Sequence, residues 1–297
     1  MLSCGLSRCV LCVILANGGN DRSDKNVMGN SAFMHRFDAL GGLELLIADF
    51  SDHRFDVHWH DTWSIGVVLR GANNNSAKGD SDGIVCRGQI SIISPGQMHA
   101  GTPLGEEGCH YFMFYPSNEM LLGAAENMAM HLPAIKGKHI EHAAFARKLC
   151  ETASVLIETQ SSHFDREVVW SDCVAELLQV FSPWQSLTEA SDITPSLRRA
   201  KEYLHDHKTQ EVRLDILARE VGISKFHLCR QFSAKFGLSP NRYQRQLRLQ
   251  QAKVLLSRGG DIAEIAIACG FADQSHMGRV FKSTYGVTPC SYRNRRI

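Results

Sequence analysis

"LAREVGISKFHLCRQFSAKFGLSPNRYQR", residues 217–245, returns in altered form as "IAIACGFADQSHMGRVFKSTYGVTPCSYRN", residues 265–294. Ala218 corresponds to Ala266 and Gly222 to Gly270. After one extra residue in the second turn, His227 corresponds to His276, Arg230 to Arg279, Phe232 to Phe281 and Gly237 to Gly286. Pro240 and Tyr243 recur as Pro289 and Tyr292. Such internal repetition marks a supersecondary unit used twice. Each copy reads as a helix, a turn carrying glycine, and a second helix stopped by another glycine. Leu228 and Phe232 lie four apart, as do Met277 and Phe281, so each pair faces inward. Between the copies, "NRYQRQLRLQQAKVLLSRGG" (241–260) reads as a long amphipathic helix holding the two units at a fixed separation.

The charge is divided along the chain. Residues 195–297 hold 19 Lys/Arg and 8 Asp/Glu, whereas residues 1–194 hold 13 and 23. The net charge of +1 therefore conceals a basic C-terminal part, at +11, joined to an acidic one, at −10. A small basic helical domain points to a polyanion; a solvated basic surface is the alternative. In a helix-turn-helix, the second helix buries one face on the first and sets the other in the major groove of DNA. By three- and four-residue spacing, Phe226, Cys229 and Arg230 fall on that outer face in the first copy. Gln274, Ser275, His276 and Arg279 fall on it in the second. Arginine bonds a guanine edge or grips phosphate. Phe226 either touches a thymine methyl or tucks into its own domain, and Gln274 suits adenine. Two such helices in one rigid chain would enter successive major-groove segments about 34 Å apart.

At these residues the sequence resembles the AraC/XylS family of bacterial transcription regulators. The likeness covers about Thr194 to Arg293, and "IAxxxGFxDQSHMGRVFKxxYGVTPxxYR" is close to that family's signature. The resemblance implies base contacts on the seven outer-face residues just named. Cys229 departs from the polar residue often found at its position.

The first half reads differently. From about Ala32 to Pro116, "LELLIADF", "SIGVVLRG", "GIVCRG", "QISIISPG" and "HYFMFYP" are short β-rich runs separated by turn residues, a pattern for a sandwich or small barrel. "NNNSAKGDSDG" (73–83) reads as a hairpin tip. From about 120 to 181 the period becomes helical. Leu149, Ala153, Leu156 and Ile157 make one stripe; Val174, Leu177, Leu178 and Phe181 make another. The stripes pack on their own domain or pair with a second copy of the chain. "HWHDTWSIGVVLRG" (58–71) followed by "SPGQMHAG" (94–101) is similar to the two motifs of the cupin-like sensor domain that many AraC/XylS members carry. In metal-binding cupins two His, a Glu and a later His hold a divalent ion. Here His58, His60 and His99 are present, but Ser64 stands at the Glu position. Three neutral imidazoles could still hold zinc or iron, and a strand places His58 and His60 on one face. The resemblance, however, implies a small organic effector, and no metal or cofactor is assigned. His60, Trp63 and His99 are the candidate effector contacts. Trp59, Tyr111 and Met113 are further candidates for a pocket wall or for ordinary core.

Of the ten cysteines, only Cys9 and Cys12 form a CxxC, and no second pair completes a zinc site. Free thiols in a reducing cytosol are the expectation, with a thiol-based sensor as the alternative. The apolar stretch "CVLCVILA" (9–16) is far shorter than the roughly 20 residues of a membrane span. "NGGNDRSDKN" reads as disordered, and Met28 is an alternative start.

The expectation is thus an α+β chain. Residues 1–30 are a disordered or mis-called N-terminus, and residues 31–181 a cupin-like β-barrel or sandwich whose helical segment (about 120–181) serves dimerisation or linking. Residues 182–194 are a linker, and residues 195–297 an all-α domain with two helix-turn-helix units. The expected function is a cytoplasmic, effector-responsive, sequence-specific transcription regulator, an activator. Its expected partners are double-stranded DNA half-sites, a small-molecule effector, RNA polymerase and a second copy of itself, with no membrane. A cupin metalloenzyme carrying a DNA-binding tail is one alternative, and an effector-free structural DNA binder another. No Ser-His-Asp arrangement, phosphate-cradling Gly-rich loop or HExxH motif is found.

Overall fold

Strand β2 (Leu43–Phe50) is buried along nearly its whole length. Its odd-numbered residues Leu43, Leu45 and Ile47 enter one hydrophobic core, and Leu46, Ala48 and Phe50 enter another. A strand covered on both faces reads as a near-continuous hydrophobic run, interrupted here only by Glu44 and Asp49. The computed structural model describes residues 30–77, 81–132, 139–181 and 193–294. The N-terminal stretch with Cys9–Ala16 and Met28, the tip at 78–80 and most of the expected linker lie outside the described residues. No helix among those described is long and apolar enough to cross a membrane.

The other strands are β1 (Ser31–Phe37), β3 (Phe55–His58), β4 (Ser64–Asn74), β5 (Ile84–Cys86), β6 (Ile90–Ile93), β7 (His99–Tyr115) and β8 (His139–Ile140). All their pairings are antiparallel. The sheet runs β1-β2-β7-β4-β6-β8, with β3 added to β7 and β5 to β4. β7 is the shared strand. Its N-terminal end pairs with β3 and its C-terminal half with β2, while β4 follows it through two register shifts. Helices α1 (Asn118–Asn127), α2 (Ala143–Ile157) and α3 (His163–Phe181) cover the outer side of this wall. Both helical stripes read from the sequence are buried there, within the first domain's own core.

The second domain begins at α4 (Pro195–Asp206), with Thr194 capping its N-terminus. The first repeat unit is α5 (Leu214–Glu220) and α6 (Lys225–Phe236); the second is α8 (Ile262–Ala268) and α9 (Gln274–Tyr285). Between them runs α7 (Pro240–Ser257), and α10 (Pro289–Asn294) closes the chain. At 18 residues, α7 is about 27 Å long. Tyr243 and Leu247 pack in the core of the first unit, and Leu249, Ala252 and Leu256 in that of the second. One stiff helix therefore belongs to both units.

The second unit docks on the open side of the barrel. Phe50 and Tyr111 share a core with Phe281 and Tyr285. Gly286, at φ +75°, sits so close to this junction that a β-carbon would meet the rings of Phe55 and Phe50 at 3.1 and 3.2 Å. Trp59 stacks on Tyr243 at 4.6 Å, and its carbonyl accepts from Gln246 at 3.2 Å. A polar latch spans the same junction. Tyr292 Oη donates to Glu44 Oε1 at 2.5 Å, and Lys253 Nζ lies 2.6 Å from Glu44 Oε2. The latter contact is a charge pair rather than an aligned hydrogen bond. Lys253 also sits 5.2 Å from the ring of Tyr285 and 5.7 Å from those of Tyr115 and Tyr292. An ammonium over aromatic faces is held by their quadrupoles. Burial, and then the Glu44 carboxylate, push the Tyr292 phenol well above its ordinary range, so it stays a donor.

Two stability outcomes follow. Removing one partner of a buried ion pair strands the other, so Glu44→Ala should cost about 3 kcal/mol. Glu44→Gln should cost less, because its amide oxygen still accepts from Tyr292; denaturant titration of both variants makes the comparison. Gly222 and Gly270 both sit at positive φ, but only Gly270 is crowded. A β-carbon there would fall 2.2 Å from the Thr209 carbonyl oxygen, whereas none of the surroundings obstructs Gly222. Gly222→Ala should therefore cost about 1 kcal/mol, from backbone strain alone, and Gly270→Ala more than about 2 kcal/mol.

Candidate nucleic-acid interface and effector cavity

Each recognition helix is fixed at both ends by its own sequence. Gly222 (φ +70°) and Gly270 (φ +79°) make the turns that lead into them. Ser224 then caps α6 by accepting from the His227 amide at 3.3 Å, and Asp273 caps α9 by accepting from the His276 amide at 2.6 Å. Such caps satisfy amides that the first helical turn leaves unpaired. Gly237 (φ +70°) and Gly286 (φ +75°) end the two helices in left-handed conformation. The inner faces are sealed: Leu228, Phe232, Met277 and Phe281 have no measurable exposure.

The outer faces are open. Phe226 is 85% exposed. This excludes its tucking into the domain and leaves a large apolar side chain in water beside the exposed Arg230. Gln274, Ser275 and Arg279 are exposed along α9. Neither Arg230 nor Arg279 is engaged in an ion pair among the described residues. Lys225 and Lys282 add positive charge to the same two helices. His276 is half-buried, with its ring edge-on to Phe271 at 5.5 Å. Cys229 is also half-buried and lines a crevice with Leu217 and Pro240 inside the first unit. An exposed face carrying arginine, glutamine, serine and one phenylalanine offers guanine, adenine and thymine-methyl contacts, with cations left for phosphate.

A cavity of about 50 Å³ lies where the barrel meets the second unit. His58, His60, His99, Tyr111, Met113 and Tyr115 line it from the barrel; Lys253, Thr284 and Tyr285 line it from the helical domain. Two of the three candidate effector contacts, His60 and His99, are thus at the cavity. Trp63 is not: it is buried toward the covering helices and donates through its indole N–H to Asn118 at 3.2 Å. Pleating accounts for this, since the neighbouring residues of β4 alternate between the helix-facing core (Ile65) and the cavity (Ser64, Gly66). Trp59 is likewise spent on Tyr243 rather than on the cavity. Burial holds all three imidazoles far toward the neutral form. His58 and His60 titrate well below the ordinary range, with neighbouring imidazoles adding to the effect, and His99 is lowered to about 4. Nothing in the sequence marks Lys253, Tyr115 or Tyr285 as cavity residues. Tyr115 faces the cavity from the barrel, whereas Lys253 and Tyr285 reach it only through docking of the two domains.

Known proteins share both halves. A family model described as a helix-turn-helix domain matches residues 217–295, and one described as an AraC-like ligand binding domain matches residues 40–169. YbfI of Bacillus subtilis, described as an uncharacterised HTH-type transcriptional regulator, is 27% identical over 229 residues, covering 75% of this chain and 82% of that protein. The HTH-type transcriptional activator RhaS of Pectobacterium carotovorum is 26% identical over 253 residues, covering 81% of this chain and 88% of RhaS. Among solved structures, an apo form of ToxT from Vibrio cholerae superimposes with a TM-score of 0.52 at 16% identity, over 92% of this chain and 99% of that one, a likeness of fold. With an AraC-type ligand-binding barrel in front and a duplicated helix-turn-helix behind, this chain belongs to the AraC family of transcriptional regulators.

Proposed function

We propose that the chain is an activator that reads DNA half-sites through Phe226, Arg230, Gln274, Ser275, His276 and Arg279. The observation that carries this is the pairing of two sealed inner faces with two open outer ones, above all the exposed Phe226 beside an unpaired Arg230. Cys229, half-buried in its crevice, takes at most a minor share. The protein acts as a homodimer on paired half-sites, contacts RNA polymerase, and works in the cytoplasm. The kinship with regulators favours regulation over catalysis.

Effector control runs through the cavity. At about 50 Å³ it has room for only a few waters. A larger organic effector enters only if the wall made by Lys253, Thr284 and Tyr285 moves. Occupancy and domain docking are then one equilibrium, and the effector shifts the population of docked arrangements. His60 and His99 contribute to the barrel side of the effector's environment.

The tests use a duplex enriched from random sequence by the protein itself, with affinity read by fluorescence anisotropy. Affinity should fall by about 1,000-fold or more between roughly 50 and 200 mM salt, because phosphate contacts release counterions. A flat response would sink the reading. Arg279→Ala should cost about 1–3 kcal/mol of binding and relax choice at one base pair. Equal loss on every sequence would instead assign Arg279 to phosphate. Phe226→Ala should change unfolding stability by less than about 0.5 kcal/mol, as exposed substitutions do, and still weaken binding. Unchanged binding would remove Phe226 from the interface.

A further inference from the structure

Three buried imidazoles converge where β3 meets β7. His58 and His99 are directly opposed across that ladder, and His60 follows two residues on. Their ring centroids are 4.8 Å apart for His58 and His60, 4.3 Å for His58 and His99, and 5.0 Å for His60 and His99. Histidine clusters are held neutral or paired for a reason, because three partly polar rings facing one another in a buried place gain little from packing alone.

Hydrogen bonding determines how two of the rings are protonated. Nδ1 of His58 lies 2.6 Å from the Asp56 carbonyl oxygen, and Nδ1 of His99 lies 2.9 Å from that of Gln97. A carbonyl oxygen only accepts, so both Nδ1 atoms carry the proton in the neutral rings. Both Nε2 atoms are then left with a lone pair. Anchoring by N–H to a backbone carbonyl is also how metal-binding histidines are oriented. One candidate ligand atom from each residue lies within 4.8 Å of the others, and the Nε2 atoms of His58 and His60 are 3.2 Å apart. Two nitrogens bound at 2.0–2.1 Å to one tetrahedral zinc would be about 3.3 Å apart. A second observation points to the same spot: Ser64 lines the cavity with its Oγ buried and without a hydrogen-bond partner.

We propose that His58, His60 and His99 bind one transition-metal dication of the zinc class through their ring nitrogens, with the fourth position held by a water that donates to Ser64. Neutral nitrogen donors suit zinc, cobalt, nickel and copper, and disfavour magnesium and calcium. The carboxylate missing at Ser64 removes one donor, but three imidazoles and a water complete a tetrahedron. Lys253 lines the same cavity, and Glu44 balances its charge, so it does not stand alone against the ion. From the sequence no metal is expected, because the carboxylate is missing; the ground for departing from that is the convergence of three buried ligand atoms within 4.8 Å of one another. Anything exchanging with the bound water would touch the helical domain, since Tyr285 and Lys253 share that cavity.

The test uses the full chain, stripped with a chelator and titrated with Co²⁺ and then Zn²⁺. One equivalent of Co²⁺ should bind with the intense visible absorption of a four-coordinate, nitrogen-ligated ion. Zn²⁺ should displace it and raise the thermal unfolding midpoint. His58→Gln and His99→Gln should each weaken binding by more than about 100-fold, the upper end of what even outer-shell changes cost. A Cys9→Ser/Cys12→Ser variant should bind as the parent does. Binding below one equivalent, thiolate-to-cobalt absorption, loss in the cysteine variant, or undiminished binding in both histidine variants would overturn the proposal. Should a histidine variant not fold, the cobalt spectrum of the parent chain still decides between imidazole and thiolate. DNA affinity is scored in the same samples, so failure of the metal site and failure of the regulator reading are distinguishable.

Discussion

Everything in the molecule is organised by the need to cover the open side of a small barrel. Most lumen-facing residues of β2, β4 and β7 are apolar or aromatic, with Ser64, Asn73 and His99 as polar exceptions, and the covering helices α1 to α3 lie on the opposite side of that wall. Apolar surface left in water costs about 25 cal/mol per Å². Here the second helix-turn-helix unit supplies the cover, so one core runs from Leu46 and Tyr111 to Phe281 and Tyr285. The DNA-reading part is thus a wall of the sensing part, and the latch of Glu44, Lys253 and Tyr292 pins that wall at its rim.

This arrangement joins sensing to DNA binding without any long relay. Lys253 stands on α7, the helix that also holds the two units apart. Tyr285 is the last residue of α9, eleven positions from the exposed Gln274 at its start. Under the proposed function, a change in the cavity acts on the recognition helix through the helix itself, whose inward residues Met277 and Phe281 have no measurable exposure.

The helical domain was legible because it is written twice, and because glycine, cap and aromatic recur at matched positions. Its outward face followed from spacing, although only the fold showed that Cys229 turns into a crevice. In the barrel, β2, β4, β5 and β6 were visible as β-branched and aromatic runs. The first part of β7 was not, because Gly105, Glu106, Glu107 and Gly108 carry the signature of a turn within a strand that in fact continues. β3 is four residues long, too short for any period to register. Trp63 shows the limit of this reading: it precedes β4 in phase with Ile65 rather than with Ser64, and so lies on the helix-facing side away from the cavity. The latch had no local signal. Residues 44, 253 and 292 meet only through packing between domains, and each alone reads as an ordinary surface or core side chain.

Trp59 carries a practical consequence of this junction. Its indole lies on the Tyr243 ring at 25° between the two planes, and the residue belongs to the barrel while its neighbour belongs to the helical domain. Separation of the domains would expose that indole to solvent and remove its aromatic neighbour. The chain thereby contains an intrinsic optical gauge of this domain junction, readable as a change in emission colour and lifetime without any attached label.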